Sequence, residues 1–473
     1  MQGRFLVAGT NSGCGKTTVC MALLAALKKR GAGLNAFKCG PDYIDPMFHR
    51  AVLGVPSYNL DPYFCDPQQL RTVYASHAGE LSVIEGVMGY YDGIGTEGRA
   101  STFDVARATE TPVVLVINVR GMYTSAGAVI RGFRDFRPDS RIEGVIFNGA
   151  SAMLYKDLKA IAENAGVKAY GFLPKMPEAE LGSRHLGLIT AEEIEDLRER
   201  IDKLAEKAEE CVDIDGLISL ANTAPRIEGG KLFTGEPVYA TVCRGNFCGL
   251  KRPVLAVAKD KAFCFIYEEN LELFKAAGFN IEYFSPMSDS EVPRDADALY
   301  LPGGYPELYT KELSDNVSMR ESVKKAVQGG LPTFAECGGF LYLHSELDGV
   351  PMAGVFAAKA YNTSKLQRFG YVELTAAKDN LFCRKGERIR AHEFHYYDSE
   401  DPGSDFRAEK ASGARGWDCV VATDTLYAGF PHLYLAANPE FARTFAGKAA
   451  AYASEKTADS SSDNGKAAEH ASV

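Results

Sequence analysis

The sequence predicts an α/β protein with two cored domains, and three observations carry that reading. Apolar, strand-like runs alternate with helix-length segments twice over, once in each half of the chain. A glycine-rich phosphate loop, GTNSGCGKTT from Gly9, separates the first such run from the first helical stretch. In the second half, PTFAECGGF (332–340) sets a cysteine between a strand and a helix, with two glycines just after it.

At 473 residues, 46% apolar and 24% charged, the chain is too long for one average domain and has the composition of an ordinary soluble protein. Its net charge of −10 argues against a general nucleic-acid or anionic-membrane surface, so an anionic substrate has to be gripped locally. The amino terminus enters a strand by Arg4 without a signal sequence, and no apolar run approaches the ~20 residues that cross a bilayer. A cytoplasmic protein with no membrane and no nucleic-acid partner is expected. The eleven cysteines include no C-x-x-C pair, and the closest spacings, Cys14 to Cys20 and Cys243 to Cys248, resemble no zinc site. They read as reduced, buried small hydrophobes.

In chain order, Phe5-Leu6-Val7-Ala8 is the first strand, and an amphipathic helix follows the phosphate loop as far as Lys29-Arg30-Gly31. Gly13 and Gly15 let backbone amides approach phosphate oxygens. Lys16 reaches the β/γ-phosphates, and the Thr17 hydroxyl, followed by Thr18, is placed to ligate Mg²⁺ at the helix N-terminus. The pattern therefore predicts nucleoside triphosphate binding. Its leading glycine lies one residue earlier than in the standard spacing, and Asn11 stands where partitioning ATPases carry a second lysine. The loop is closer to the dethiobiotin synthetase type, which activates carboxylates by phosphorylating them.

LNAFKCG, LSVIEGV, TPVVLVINV and IEGVIFNG continue a mostly parallel sheet, and AEEIEDLRERIDKLAEKAEE from Ala191 is a charged helix. A Gly- and Pro-rich stretch then divides the chain into a first domain over 1–224, a linker over 225–252 and a second domain over 253–447. The second α/β rhythm runs through PVLAVAKD, residues 280–284, ALYLPGG and LPTFAECGG to Phe445. From Lys448 to the end, 448–473, large apolar residues almost vanish and a disordered tail is expected.

Cys337 reads as a nucleophile on a tight strand-to-helix elbow, with the Gly338 amide facing a developing oxyanion. Gly303 and Gly304 of LPGGYPE, just after another strand, are placed to complete the oxyanion hole. A thiolate needs a base, and His392, His395 and His432 compete for that role. Residue chemistry alone does not choose among them.

ECGGFLYL, LPGGYPEL, AVAKDKAFCFIYEENLELF and FKCGPDYIDP together resemble the cobyrinic acid a,c-diamide synthase family, over nearly the whole chain before the tail. The resemblance implies a dethiobiotin synthetase-like P-loop NTPase domain joined to a C-terminal class I glutamine amidotransferase domain of flavodoxin-like fold. It implies Cys337 as nucleophile and His432 as its base. Tyr434 replaces the family's usual second histidine, no glutamate follows two residues after His432, and the group orienting that histidine is unidentified. Glu85, at the end of LSVIE, matches a Mg²⁺-associated carboxylate. Asp45 is implied at the metal and the reacting carboxylate, with Asp42, Tyr43 and Asp92 at the substrate.

Lys38 is a contact for a phosphate or a substrate carboxylate, or else a surface lysine. Asn148 is placed like an adenine-reading asparagine, with an ordinary strand-end role as the equal alternative. Arg184-His185 lies in a family segment and is read as a nucleotide or substrate contact.

The implied activity is amidation of the a and c acetates of a corrinoid in cobalamin biosynthesis, with ATP and glutamine as co-substrates and Mg²⁺ as cofactor, through acyl phosphates. Hydrogenobyrinic acid or a nickel sirohydrochlorin is an alternative tetrapyrrole polycarboxylate substrate, and a homo-oligomer is compatible with the sequence. A reading from another class, an ATP-switched binding protein without catalysis, is opposed by Asn11 and by the Cys337 elbow.

Overall fold

The computed structural model describes residues 2–177, 191–230, 232, 252–413 and 415–470, with the backbone alone for 191–195 and 458–470. It divides into two compact units, 1–232 and 233–473, at a point within the expected linker. No helix among the described residues is long and apolar enough to cross a membrane.

The first unit is built on a seven-stranded sheet whose pairs are all parallel: β1 (Gly3–Gly9), β2 (Leu34–Cys39), β3 (Ser57–Leu60), β4 (Leu81–Glu85), β5 (Val113–Asn118), β6 (Ile142–Asn148) and β7 (Lys168–Leu173). Their order is β3-β2-β4-β1-β5-β6-β7. The chain therefore winds outward on one side of β1 and then returns to wind outward on the other. The carboxyl ends of β4 and β1 flank the point of reversal, where such sheets open a crevice. Near-continuous apolar strands fit a sheet covered on both faces. All seven residues of β1 are buried, Arg4 among them, and its guanidinium donates to the Thr109 carbonyl and, at 3.0 Å, to the Thr111 hydroxyl.

Helix α1 (Lys16–Lys29) departs from the expected amphipathic pattern, since every residue from Val19 to Leu27 is buried. The cause is the charged helix Ala191–Cys211, which lays Ile201, Leu204, Ala205 and Ala208 over the face of α1 that would otherwise meet water. A helix covered on all sides has no reason to carry a polar face. Burying each large aliphatic side chain of this layer contributes roughly 1.5–3 kcal/mol. The surface pairs along the seam, Lys29–Asp202 at 2.9 Å and Arg30–Glu209 at 2.6 Å, add little beside it.

The second unit holds a six-stranded sheet in the order Asn280–Phe284, Val254–Ala258, Ala298–Leu301, Thr333–Glu336, Leu426–Gly429, Val421–Ala422, parallel except at its last pair. A five-stranded antiparallel sheet stands beside it, ordered Gly416–Cys419, Phe406–Lys410, Arg368–Ala376, Arg388–His395, His432–Leu433. The helix Pro439–His470 crosses the expected start of a disordered tail at Lys448. Ala449 and Ala450 are buried, Tyr452 packs on the core, and Lys456 Nζ donates to the Arg294 carbonyl at 3.0 Å. Alanines at helical spacing bury a face without any large side chain, which is why composition misplaced the boundary.

Two candidate active sites

In the first unit, strand register brings the chemistry together. Lys38 of β2 is the partner of Glu85 on β4, and Glu85 is in turn the partner of Val7 on β1, two residues before the phosphate loop. Gly15 closes that loop at φ 89°, a conformation that favours glycine, and a Cβ there would lie 1.9 Å from the Asn148 side-chain nitrogen. The Asn148 amide donates to the Cys14 carbonyl at 3.0 Å, so in this structure it braces the loop from the end of β6. Lys16 Nζ meets the carbonyl of Met88 at 3.3 Å, while exposed Asn11 bonds locally to the Ser12 carbonyl. Thr17 and Thr18 lie half-buried in the first turn of α1, with Gly13 exposed ahead of them.

Glu85 is fully buried. Its Oε1 accepts from the Thr17 hydroxyl at 2.6 Å and from Lys38 at 3.0 Å, while Oε2 faces His49 Nε2 at 3.4 Å. Burial alone would raise its pKa, but the Lys38 ammonium and then His49 and Thr17 hold the carboxylate well below its usual range. Lys38 is 3% exposed, which excludes the surface-lysine alternative. Burial opposes its charge, yet Asp45 at 2.5 Å, Glu85 and Asp42 keep it well above its ordinary value.

Asp45, expected at the metal, is thus engaged by Lys38, with helix Ile44–Ala51 placing it there. Asp42 Oδ1 accepts from the Ile44 and Asp45 amides at 2.8 and 3.1 Å, and Tyr43 is buried. Asp92 Oδ2 accepts from the Gly89 amide at 2.9 Å, a turn-closing bond. Arg184 and His185 lie outside the described residues.

His49 was missed by the sequence reading. It is fully buried, with Nδ1 on the Ser57 hydroxyl at 2.9 Å, which turns Nε2 toward Glu85. Cys20 Sγ, His49 Nε2 and a Glu85 oxygen lie within 4.8 Å of one another. Thr17 Oγ1 and Glu85 are hard oxygen donors at a helix N-terminus, the donor chemistry that Mg²⁺ takes.

In the second unit, Cys337 ends the strand Thr333–Glu336 at φ 44°, ψ −100°, a strained conformation for a non-glycine residue and the mark of an elbow. Its amide donates to the Gly429 carbonyl at 2.8 Å. The Gly303–Gly304 segment lies directly against the residue after the nucleophile: a Cβ on Gly338 would be 3.0 Å from the Gly304 nitrogen. A Cβ on Gly303 would be 2.4 Å from Cε1 of His432, so that imidazole rests on the bare backbone of Gly303.

The three histidines separate. His395 stacks on Phe430 at 4.0 Å, and its two nitrogens are taken by the Tyr397 carbonyl at 2.6 Å and Glu393 at 3.1 Å. His392 lies opposite His432 across the strands and stacks on it, ring centres 5.3 Å apart. His432 alone of the three has its ring against the glycine pair beside Cys337. Tyr434 is buried edge-on to Tyr267.

The backbone beside His432 is held by two residues that the quoted motifs contain but to which the sequence analysis gave no role. Glu336, immediately before the nucleophile, accepts from the Leu433 amide at 2.5 Å and from the Tyr300 hydroxyl at 2.7 Å. Asn270 donates to the Leu433 carbonyl and accepts from the Leu435 amide, both at 2.8 Å. Burial pushes the Cys337 thiol up, with Glu307 and Glu336 adding to it. Burial, then His392 and His395, hold His432 well below its ordinary value.

The family model described as "CobQ/CobB/MinD/ParA nucleotide binding domain" matches residues 5–189, and the one described as "CobB/CobQ-like glutamine amidotransferase domain" matches residues 254–440. Among curated relatives, a "Cobyrinate a,c-diamide synthase" of Listeria innocua is 37% identical over 92% of this chain and 97% of its own length. One of Clostridium tetani is 38% identical over 92% and 98%, and one of Methanothermobacter thermautotrophicus 37% over 93% and 98%. The chain belongs to the cobyrinate a,c-diamide synthase family, and it is a glutamine-hydrolysing, ATP-dependent amide ligase.

Proposed function

We propose that this chain amidates the a and c acetate carboxylates of cobyrinate, drawing ammonia from glutamine at Cys337 and activating each carboxylate with ATP at the phosphate loop. The observation that carries the reading is the elbow at Cys337 with Gly303, Gly304 and His432 packed against it. In the glutaminase half-reaction, His432 takes the thiol proton and the sulfur attacks the side-chain amide carbon of glutamine. The oxyanion is received by the Gly338 amide and the Gly303–Gly304 backbone. Ammonia leaves, and water hydrolyses the thioester to glutamate.

In the synthetase half-reaction, Gly13, Gly15, Lys16, Thr17 and Thr18 hold the triphosphate. A substrate carboxylate accepts the γ-phosphoryl group, ADP departs, and ammonia displaces phosphate to leave the amide. Thr17 and Glu85 would hold Mg²⁺, which when bound neutralises phosphate charge. Lys38 keeps Glu85 ionised and Asp45 in register with it. Two turnovers, each using one ATP and one glutamine, complete the diamide.

The test is Cys337→Ser assayed with cobyrinate, ATP and either glutamine or ammonium at alkaline pH. Glutamine-dependent amidation is expected to vanish and ammonium-dependent amidation to persist near the wild-type rate. Loss of both in a folded protein refutes the division of labour.

A further inference from the structure

We propose that Glu307 is the residue that receives the α-ammonium group of glutamine, and so makes the Cys337 site specific for an amino acid rather than for any primary amide. The inference rests on the reading of Cys337 as the glutaminase nucleophile. Glu307 sits on the short turn Pro306–Leu308, three residues past Gly304 in LPGGYPEL. That turn abuts the nucleophile elbow, because a Cβ on Gly338 would be 2.9 Å from Cδ of Pro306. Tyr305, the residue before the turn, packs edge-on to Phe265 at 4.9 Å, and Phe265 lies 6.4 Å from the His432 ring. The carboxylate is thus carried by a wall of the same site.

Among the described residues no basic side chain pairs with it. Burial, opposed by its own backbone amide and helped by Asp348, lifts the Glu307 carboxyl to about 7. Apart from its own backbone amide, no described group engages its side chain, although the residue is only half-buried and reachable. A partly desolvated carboxylate without a partner is costly to keep, and a charged ligand group removes that cost on binding. After burial, Glu307 is the group that most disfavours the Cys337 thiolate, and its turn is the one that abuts the elbow. Glutamine carries one cation, the α-ammonium, a short side chain away from the amide carbon that Cys337 attacks. Docking it on Glu307 cancels the charge that most disfavours the thiolate, so the correct substrate also prepares the nucleophile.

The experiment compares glutamine with glutaramate, which is glutamine without its α-amino group, on the full-length wild type, Glu307→Gln and Glu307→Asp. Glutamine KM is read from ammonia release, and glutaramate from its inhibition constant against glutamine. In the wild type glutaramate should bind about tenfold to a hundredfold more weakly than glutamine, the range of a charge-assisted hydrogen bond. Glu307→Gln should raise glutamine KM by a similar factor, leave kcat within about threefold and leave the glutaramate constant unchanged. Glu307→Asp, which keeps the charge, should recover most of the loss. An unchanged glutamine KM in Glu307→Gln, or an equal loss for both ligands, overturns the assignment. Should Glu307→Gln not fold, wild-type glutaramate binding as tightly as glutamine overturns it by itself. Glutaminase surviving in Cys337→Ser would instead remove the reading beneath it.

Discussion

Replacing Gly303 by alanine puts one methyl group where the His432 ring now lies. The added carbon would sit 2.4 Å from Cε1 and 3.2 Å from Nδ1. Carbon atoms rest at about 3.5–4.0 Å, so the imidazole has to withdraw by roughly 1.1–1.6 Å. The ring is buried between Gly303 and His392, so the stability cost falls within the roughly 1–3 kcal/mol typical of overpacking. Function is more exposed than stability, because the displaced group is the proposed base. A misplacement of about 1 Å costs on the order of a hundredfold in rate. Gly303→Ala should therefore lower glutaminase kcat about a hundredfold, shift the melting temperature by only a few degrees and leave ammonium-driven amidation intact. The assay is glutamate release against amide formation from ammonium, on the same preparation. A variant that keeps glutaminase within threefold of wild type would show that the base lies elsewhere, with His392 the next candidate.

Three further outcomes are expected. Glu85→Gln removes the ionised acceptor of Thr17 and Lys38, so amidation should need at least about tenfold more Mg²⁺ while glutaminase is spared; an unchanged Mg²⁺ titration makes Glu85 structural. The Glu336 carboxyl is pushed up to about 8, first by burial, so the folded state keeps a proton that the unfolded chain has released above about pH 4.3. Its contribution to stability is full below that unfolded value and is lost as pH rises toward 8. Relative to Glu336→Gln, which mimics the neutral acid, wild-type melting temperature should fall from about pH 5 to about pH 8, and parallel curves would refute this. Truncation before Lys448 strips Ala449, Ala450, Tyr452 and Lys456 from the core edge, and should lower unfolding free energy by on the order of 2–4 kcal/mol in a denaturant titration; an unmoved midpoint contradicts the packing.

What the sequence made legible is what depends on local pattern. The strand, loop and helix around Lys16, the elbow at Cys337 and the carboxylate closing β4 are each spelled out within a few residues. The roles that were hidden depend on register. Lys38 reads as a loose lysine until β2 is set beside β4, where it becomes the buried partner of Glu85 and Asp45. His49 is an unremarkable helix residue until Ser57 on a neighbouring strand turns its ring. Glu336 and Asn270 meet Leu433 across 97 and 163 residues, a distance along the chain at which no spacing rule operates. The polar face assigned to α1 failed for a related reason, since the helix that covers it arrives some 170 residues later. The choice among three histidines came from resemblance; the resting of the His432 ring on Gly303 is a contact that no local pattern announces.

The brace made by Glu336 also bears on how the enzyme fails when heated. One end is the residue before the nucleophile and the other is the backbone of the residue after the base, so the two reacting groups are tied by a single hydrogen bond and adjoining chain. That bond joins the six-stranded sheet, one strand of which ends at Cys337, to the antiparallel sheet that carries His432, so parting the two reacting groups means parting the two sheets. Inactivation of the glutaminase should accordingly track global melting of this half of the protein, without an earlier loss from a loosened active site.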